Sequence, residues 1–271
     1  MSGSPSRVAL VLGAGGMLGR AVTETLERAF PGTVSATRWE VDVTDRFRLD
    51  AEVERLRPDL VVNCAAYTDV DGCEIDRDRA RRVNAEGAEN AARAAAAAGC
   101  PIVHVSTDFV FDGRKGAPYS EDDPPSPLSE YGRSKYDGER RVAAATPEHL
   151  IVRTSWLYGP GRGNFVDSIR ARARNGGTLR VVDDQFGSPT YVADLARALH
   201  HLAQAVLSVS GMSHVRLEPI RTDEAGRIAI RPAYAALDTS RYASLIGEGP
   251  RPWEVALRDY LDADRSRAGG G

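Results

Sequence analysis

The sequence predicts an α/β fold, a doubly wound parallel sheet with a small C-terminal lobe, and three features of the chain carry that prediction. Short apolar runs alternate with helix-like segments as far as Thr154, the pattern of strands covered on both faces by helices. The first apolar run ends directly in a cluster of glycines, as a strand does where it turns into a helix beside a ligand. Beyond Trp156 the alternation loosens into Gly-, Asn- and Pro-rich loops. The expected organisation is a sheet domain over residues 1–155 and a smaller lobe drawn mainly from residues 156–271, with some of its segments returning to the sheet domain.

Taken in order, a Ser/Gly/Pro start is expected to be flexible, and Arg7 to Leu12 reads as the first buried strand. Met17 to Phe30 follows as a helix, Thr33 to Thr37 as the second strand, Arg46 to Leu56 as a helix and Asp59 to Cys64 as the third strand. Asp76 to Ala98 is expected to be one long alanine-rich helix, stopped by Gly99 and Pro101. Ile102 to Ser106 is the fourth strand, Tyr131 to Ala145 a helix and Leu150 to Thr154 the fifth strand. In the lobe, helices are expected over Asn164 to Asn175, Tyr191 to Val206 and Trp253 to Ala263, before a disordered Ala-Gly-Gly-Gly tail.

With 271 residues, 42% of them hydrophobic, the chain can bury one large core. Its 35 basic side chains against 38 acidic ones give a net charge of -3, which argues against a nucleic-acid binder relying on a basic surface. Cys64, Cys73 and Cys100 are too few and too scattered for a disulfide framework or a four-ligand zinc site, and read as reduced thiols of a cytoplasmic protein. The five histidines show no ligand spacing, so no metal is expected, and no apolar run has the length of a membrane span. The basic residues are 33 arginines and two lysines, Lys115 and Lys135. A chain that uses arginine almost everywhere has kept lysine at two places.

The glycine cluster reads Gly13-Ala14-Gly15-Gly16-Met17-Leu18-Gly19, with Gly13, Gly16 and Gly19 in G-x-x-G-x-x-G spacing. Lacking Cβ atoms, these residues let the backbone turn tightly, admit a pyrophosphate and present the N–H groups of the following helix to it. Gly13, Gly16, Met17 and Leu18 are therefore the expected contacts of a dinucleotide, and the absence of a G-K-[ST] ending argues against a P-loop. At the end of the second strand the chain has Ala36-Thr37-Arg38, where a site selective for NAD would offer an acid. Thr37 and Arg38 can receive a 2′-phosphate, which favours NADPH while leaving NADH open; the alternative is that Arg38 is a solvated surface residue. Asp42, followed by Val43, is the candidate for the adenine amine.

The fourth strand delivers Ser106-Thr107-Asp108 at its carboxyl end, and Tyr131 and Lys135 follow at i and i+4 on one helix face. The lysine charge there can lower the phenol pKa, so that the tyrosine exchanges protons near neutral pH. Arginine is a poor substitute, because a planar guanidinium differs in shape and hydrogen bonding from a compact ammonium. Thr107 offers a hydroxyl to share a substrate oxygen with Tyr131, while Asp108 either backs that group or is a turn residue.

The glycine turn, Asn63-Cys64-Ala65-Ala66-Tyr67, Val83-Asn84, Ser106 to Gly113 and Tyr131 to Lys135 together resemble the extended short-chain dehydrogenase/reductases. Pro124 to Lys135, Arg153 to Gly159, Asn164-Phe165 and Asp184 to Thr190 resemble the dTDP-4-dehydrorhamnose reductases in particular, over Arg7 to Leu202 and again over Leu217 to Leu261. The resemblance implies a Rossmann-type domain with a substrate lobe and the triad Thr107, Tyr131 and Lys135, with Ala65, Ala66 and Tyr67 lining the cofactor. It places Thr107, Asp108, Phe109 and Trp156 at the substrate, with Arg231 as a weaker candidate for its diphosphate. The implied substrate is a dTDP-linked 4-keto-6-deoxyhexose, most simply dTDP-4-dehydro-L-rhamnose, with no nucleic acid or membrane partner and with a homodimer compatible.

The chain departs from that family at two points. Phe109 stands where the family has tyrosine, which removes a hydroxyl beside the substrate. Gly211 to Val215 runs directly into Arg216-Leu217-Glu218, as if one loop and helix of the lobe were absent. A dehydratase would want an acid beside Asp108, which Phe109 is not, and an epimerase would want a larger lobe. A relative that binds cofactor without catalysis is the rival of another class, and such a protein need not keep Lys135.

Overall fold

The computed structural model describes residues 7–161, 163–174, 185–187, 189–208, 232, 234 and 236–268. The expectations for the first residues, for the tail beyond Ala268 and for the Gly211 to Glu218 join lie outside them. Strands β1 (Ala9–Leu12), β2 (Val34–Ala36), β3 (Leu60–Asn63), β4 (Ile102–Thr107) and β5 (His149–Thr154) form one parallel sheet in the order β2-β1-β3-β4-β5. The order reverses between β1 and β3, so the crevice at their carboxyl ends is where such a sheet binds ligands. Register pairs Leu12 with Asn63 and Thr107 with Thr154, which brings the glycine turn, Asn63 and Thr107 to one edge.

Six helices accompany these strands: α1 (Met17–Leu26), α2 (Arg46–Leu56), α3 (Val70–Ile75), α4 (Arg77–Arg81), α5 (Gly87–Ala98) and α6 (Glu130–Ala145). After β5 come β6 (Leu157–Tyr158), α7 (Phe165–Arg174), β7 (Thr190–Tyr191), α8 (Val192–Ser208), α9 (Ser240–Ile246) and α10 (Trp253–Ala268). Because side chains alternate along a strand, Ala9 and Val11 of β1 face one layer with Leu18, Val22 and Leu26 of α1, while Leu10 and Leu12 face the other with Leu49 and Val53 of α2. Both sets are essentially fully buried, and each such leucine or valine contributes ~1.5–3 kcal/mol. This two-sided burial is why the strands read as unbroken apolar runs. Alanines 88, 91, 92 and 95 let α5 lie close against the second layer. Val192, Leu195, Leu199 and Leu202 of α8 pack with α1 in the first layer, so a helix from the second half of the chain completes the cover of the sheet.

The helix expected over Asp76 to Ala98 is present as one continuous helical stretch of α4 and α5, and the difference from the expectation is a π-turn inside it. Asp76 leaves helical geometry and its carboxylate caps α4 by accepting from the Arg79 N–H, much as Asp69 caps α3 through Gly72. Arg82–Glu86 then form a π-helical turn before α5. That turn points Asn84 inward, fully buried, where it binds both Tyr67 and Ser134.

In the second half, β6 pairs in parallel with β7, and Tyr260 of α10 donates to Asp167 of α7 at 2.8 Å beneath the Tyr158 and Tyr191 rings. Among the described residues no helix is long and apolar enough to cross a membrane.

Candidate active site

A cleft of about 1510 Å³ runs along the carboxyl edge of the sheet, from Arg38 and Asp42 at one end, past Gly13 and Ala65, to Tyr131 and Trp156 at the other. It exceeds the ~300–1,000 Å³ typical of a single small-ligand pocket, which leaves room for a dinucleotide and a second ligand together.

The glycine turn forms one wall. Gly13 has φ +75°, and a Cβ there would stand 2.6 Å from the Ala65 nitrogen; a Cβ on Gly19 would strike the Gly13 carbonyl. The two glycines thus let β1, α1 and the segment after β3 close on each other. Gly16 stands at the N-cap of α1 with no side chain capping it, so the first N–H groups of a ten-residue helix are open to an anion. Met17 and Leu18 line the same wall.

At the far end, Thr37, Arg38, Asp42 and Val43 all reach the cleft. The Arg38 guanidinium lies 4.4 Å over the Trp39 ring, and among the described residues it has no recorded ion pair. A cation held by an aromatic face, without a carboxylate to neutralise it, suits a phosphate. One Asp42 oxygen accepts from both the N–H and the hydroxyl of Thr44, so part of its hydrogen-bonding capacity is used by its own turn. The open helix end, the Cβ-free cradle and the free Arg38 together fit a 2′-phosphorylated dinucleotide.

Ala65, Ala66 and Tyr67 line the middle of the cleft. Their path is set by two buried asparagines: Asn63 accepts from the Ala65 N–H at 3.0 Å, and Asn84 both accepts from the Tyr67 N–H at 2.8 Å and donates to its carbonyl at 3.1 Å. Asn84 also donates to Ser134 on α6, tying the cofactor wall to the helix that carries Tyr131. Neither asparagine had a role assigned by sequence reasoning; two asparagines at an apolar strand end and on a helix face are the signal that was available.

Ser129 caps α6 by accepting from the Gly132 N–H at 3.1 Å, which sets Tyr131 at the first turn and Lys135 one turn further in. Lys135 is only 1% exposed and donates to the Val105 carbonyl at 2.6 Å. Burial pushes its pKa down to about 8, opposed chiefly by the Glu139 carboxylate. The Tyr131 ring packs edge-on to Phe109 at 5.4 Å. Thr107 hydrogen-bonds Tyr131 and donates to Asp108 Oδ1 at 2.9 Å. Asp108 is buried, its Oδ2 has no partner, and desolvation pushes its carboxyl up to about 7.

One expectation is corrected here. Lys135 is not among the groups that shift the Tyr131 phenol; burial raises its pKa strongly, Asp108 and Cys73 add to this, and only the Thr107 hydrogen bond opposes it. In this structure the phenol is therefore held protonated, as a proton donor must be.

Trp156 has φ +46°, a left-handed backbone rare for a large residue; its ring stands 5.3 Å from Phe165, and it lines the cleft together with Tyr131. Phe109 lines the same cleft, while Arg231 lies outside the described residues. The structure adds Arg79, Arg82 and Gln185 to the lining; Gln185 lies in the Asp184 to Thr190 segment singled out in the sequence, whereas Arg79 shows no sequence motif and is recognisable only by its guanidinium 4.3 Å over the Tyr67 ring. Among the described residues no cluster of His, Cys, Asp and Glu could hold a metal.

Comparison with known proteins adds the following. The RmlD substrate binding domain family matches residues 7–208 and 198–266. The dTDP-4-dehydrorhamnose reductase of Mycobacterium tuberculosis is 40% identical, with 97% of this chain and 95% of the relative covered. The dTDP-4-keto-6-deoxy-D-glucose reductase of Streptomyces niveus is 35% identical, with 95% and 98% covered. The crystal structure of dTDP-4-dehydrorhamnose reductase from Bacillus anthracis in complex with NADP superposes with a TM-score of 0.84 at 32% identity, covering 95% of this chain and 99% of that one. The mycobacterial match extends over 294 residues, more than the 271 of this chain, so the relative carries residues that have no counterpart here.

Proposed function

The chain belongs to the RmlD substrate binding domain family, and from that premise we propose that it reduces the 4-keto group of a dTDP-4-dehydro-6-deoxyhexose, dTDP-4-dehydro-L-rhamnose in the first place, to the alcohol. It is an oxidoreductase of the dTDP-4-dehydrorhamnose reductase type, and NADPH is its cofactor, with NADH as the weaker option. The observation that carries the reading is the convergence of Thr107, Tyr131 and Lys135 on one part of a cleft whose other part, with the glycine turn and Arg38, suits a phosphorylated dinucleotide.

When bound, the nicotinamide supplies the hydride. The chain's own residues do the rest. Gly13, Gly16, Met17 and Leu18 receive the pyrophosphate, Thr37 and Arg38 the 2′-phosphate, Asp42 and Val43 the adenine, and Ala65 to Tyr67 the sugar-nicotinamide half. Tyr131, held protonated by burial, gives its proton to the keto oxygen as that oxygen gains charge. Thr107 is placed to donate its hydroxyl proton to the same oxygen when Asp108 is protonated and no longer takes that proton as acceptor. Lys135 offers its N–H groups to the ribose and offsets the phenolate left behind. Asp108, Phe109 and Trp156 face the hexose, and Arg231 is assigned to the substrate diphosphate. Reduced thiols and a nicotinamide cofactor go with a cytoplasmic setting.

A related dTDP-4-keto-6-deoxyhexose is the second reading, favoured by the Streptomyces niveus relative and by Phe109 in place of a hydroxyl-bearing ring. A coupled assay across several dTDP-4-keto-6-deoxyhexoses with NADPH and NADH separates them: the preferred pair is the one with the highest kcat/KM. Turnover of none of these sugars would remove the proposal.

A further inference from the structure

We propose that His104 is a positioning residue for Lys135: fixed by Asn63 as the neutral tautomer with its hydrogen on Nε2, it presents an N–H to Nζ and so favours the lysine amine over the ammonium. The inference builds on the role given to Lys135 above, although its geometry is independent of the substrate.

Both ring nitrogens of His104 face nitrogen atoms. The Asn63 side-chain nitrogen lies 3.2 Å from Nδ1, and Lys135 Nζ lies 3.4 Å from Nε2. The Asn63 amide cannot be turned over, because its oxygen accepts the Ala65 N–H at 3.0 Å. Its NH2 group therefore points at Nδ1, which must accept, and the ring hydrogen is left on Nε2. His104 is fully buried, and desolvation with the Lys135 charge holds its pKa well below the usual range, so the ring carries one hydrogen and not two. An N–H directed at an ammonium is repulsive, whereas directed at the lone pair of an amine it is a hydrogen bond. Lys135 keeps the Val105 carbonyl as acceptor in either state.

Of the other titratable groups, Glu139 on α6 and Cys64 after β3 act on Lys135, and Asp108 after β4 and Tyr131 on α6 line the same cleft. Glu139 favours the ammonium, but it is already engaged by Arg153 at 2.7 and 2.9 Å and by the Ser106 hydroxyl. Burial pushes the Cys64 thiol up to about 12, which keeps it uncharged. The neighbour on β4 is thus the one whose orientation is set against the ammonium, and it holds Lys135 near the point where the proton can be released and regained.

With two lysines in the chain, full-length protein labelled at lysine Cε gives two NMR signals, and Lys115→Arg identifies Lys135. Titrated with and without NADPH, the Lys135 midpoint is expected to rise by about one pH unit in both His104→Phe and Asn63→Leu, a roughly tenfold shift in the amine-to-ammonium ratio. An unmoved or lowered midpoint overturns the proposal, since a purely structural role would change stability and leave the titration in place. Ring ¹⁵N signals of wild-type His104 give a second reading that needs no variant: hydrogen on Nε2 throughout pH 6 to 9 is expected, and a Nδ1–H tautomer or an imidazolium contradicts it. Neither measurement requires turnover, so loss of the functional assignment would be seen separately, as wild-type protein that oxidises no NADPH.

Discussion

The Thr107 hydroxyl stands between two acids, donating to Asp108 Oδ1 at 2.9 Å while hydrogen-bonding the Tyr131 phenol. A hydroxyl has one proton to give, so with Asp108 ionised Thr107 accepts from Tyr131, and with Asp108 protonated it is free to donate toward the phenolate. The state of a carboxyl that touches no solvent is thereby coupled to the proton donor at the cleft.

Tyr131→Phe tests the donor itself. It is expected to lower kcat by about 10²–10⁴-fold, the range of a lost general acid, with the Kd for NADPH nearly unchanged. Steady-state kinetics beside fluorescence titration of NADPH measure both; turnover near the wild-type rate would remove Tyr131 from the mechanism.

Asp108→Asn tests the buried carboxyl through stability. Burial raises its pKa from 3.8 to about 7, so the folded state holds this proton more tightly than the unfolded chain does. A raised acid favours the fold while protonated, and that contribution is present below the ordinary carboxyl range and lost as pH rises to about 7. The wild type should therefore lose stability relative to Asp108→Asn across this window, by on the order of 1–4 kcal/mol, and the gap should be level above it. Thermal unfolding of both proteins from pH 4 to 8.5 reads this directly. Parallel curves would mean that the carboxyl titrates normally.

The glycine turn makes a graded prediction. Gly15→Ala meets only Thr37 Cγ2 at 3.5 Å, an ordinary contact, whereas Gly13→Ala is forced against Ala65 at positive φ and Gly19→Ala against the Gly13 carbonyl. Unfolding should show Gly15→Ala near wild type and the other two destabilised by about 1–3 kcal/mol or more, with NADPH affinity lost in parallel. Equal tolerance at all three positions would show that the close approach is not needed.

Arg38→Ala should raise the KM for NADPH by about 10–100-fold and leave that for NADH almost unchanged, because only the former carries the 2′-phosphate. An equal effect on both cofactors would assign Arg38 to the Trp39 face alone.

Much of this was legible in the chain because it follows from local chemistry. Two-sided burial wrote β1, β3 and β4 as apolar runs, and the glycines and the Tyr131–Lys135 spacing are local requirements of a turn and a helix face. The start of the helical stretch at Asp76 was also written locally, in an aspartate that caps it, whereas the π-turn at Arg82–Glu86 that turns Asn84 inward has no local signal ahead of an alanine-rich stretch of strong helix propensity. What no local pattern holds is the meeting of distant residues: Asn84 reaching Tyr67 and Ser134, Asn63 and Lys135 on opposite sides of His104, and Lys135 turned toward Val105 rather than dominating the phenol. These depend on how β3, β4 and α6 pack, and became visible only with the fold.

The central claim is tested most directly by mixing the protein with NADPH and dTDP-4-dehydro-L-rhamnose and following nicotinamide absorbance alongside the sugar product. The account predicts one NADPH oxidised for each dTDP-L-rhamnose formed, with the rate lost in Tyr131→Phe. Tight binding of NADPH with no oxidation, for this sugar and for other dTDP-4-keto-6-deoxyhexoses, would contradict it and leave a protein that holds the cofactor without using it.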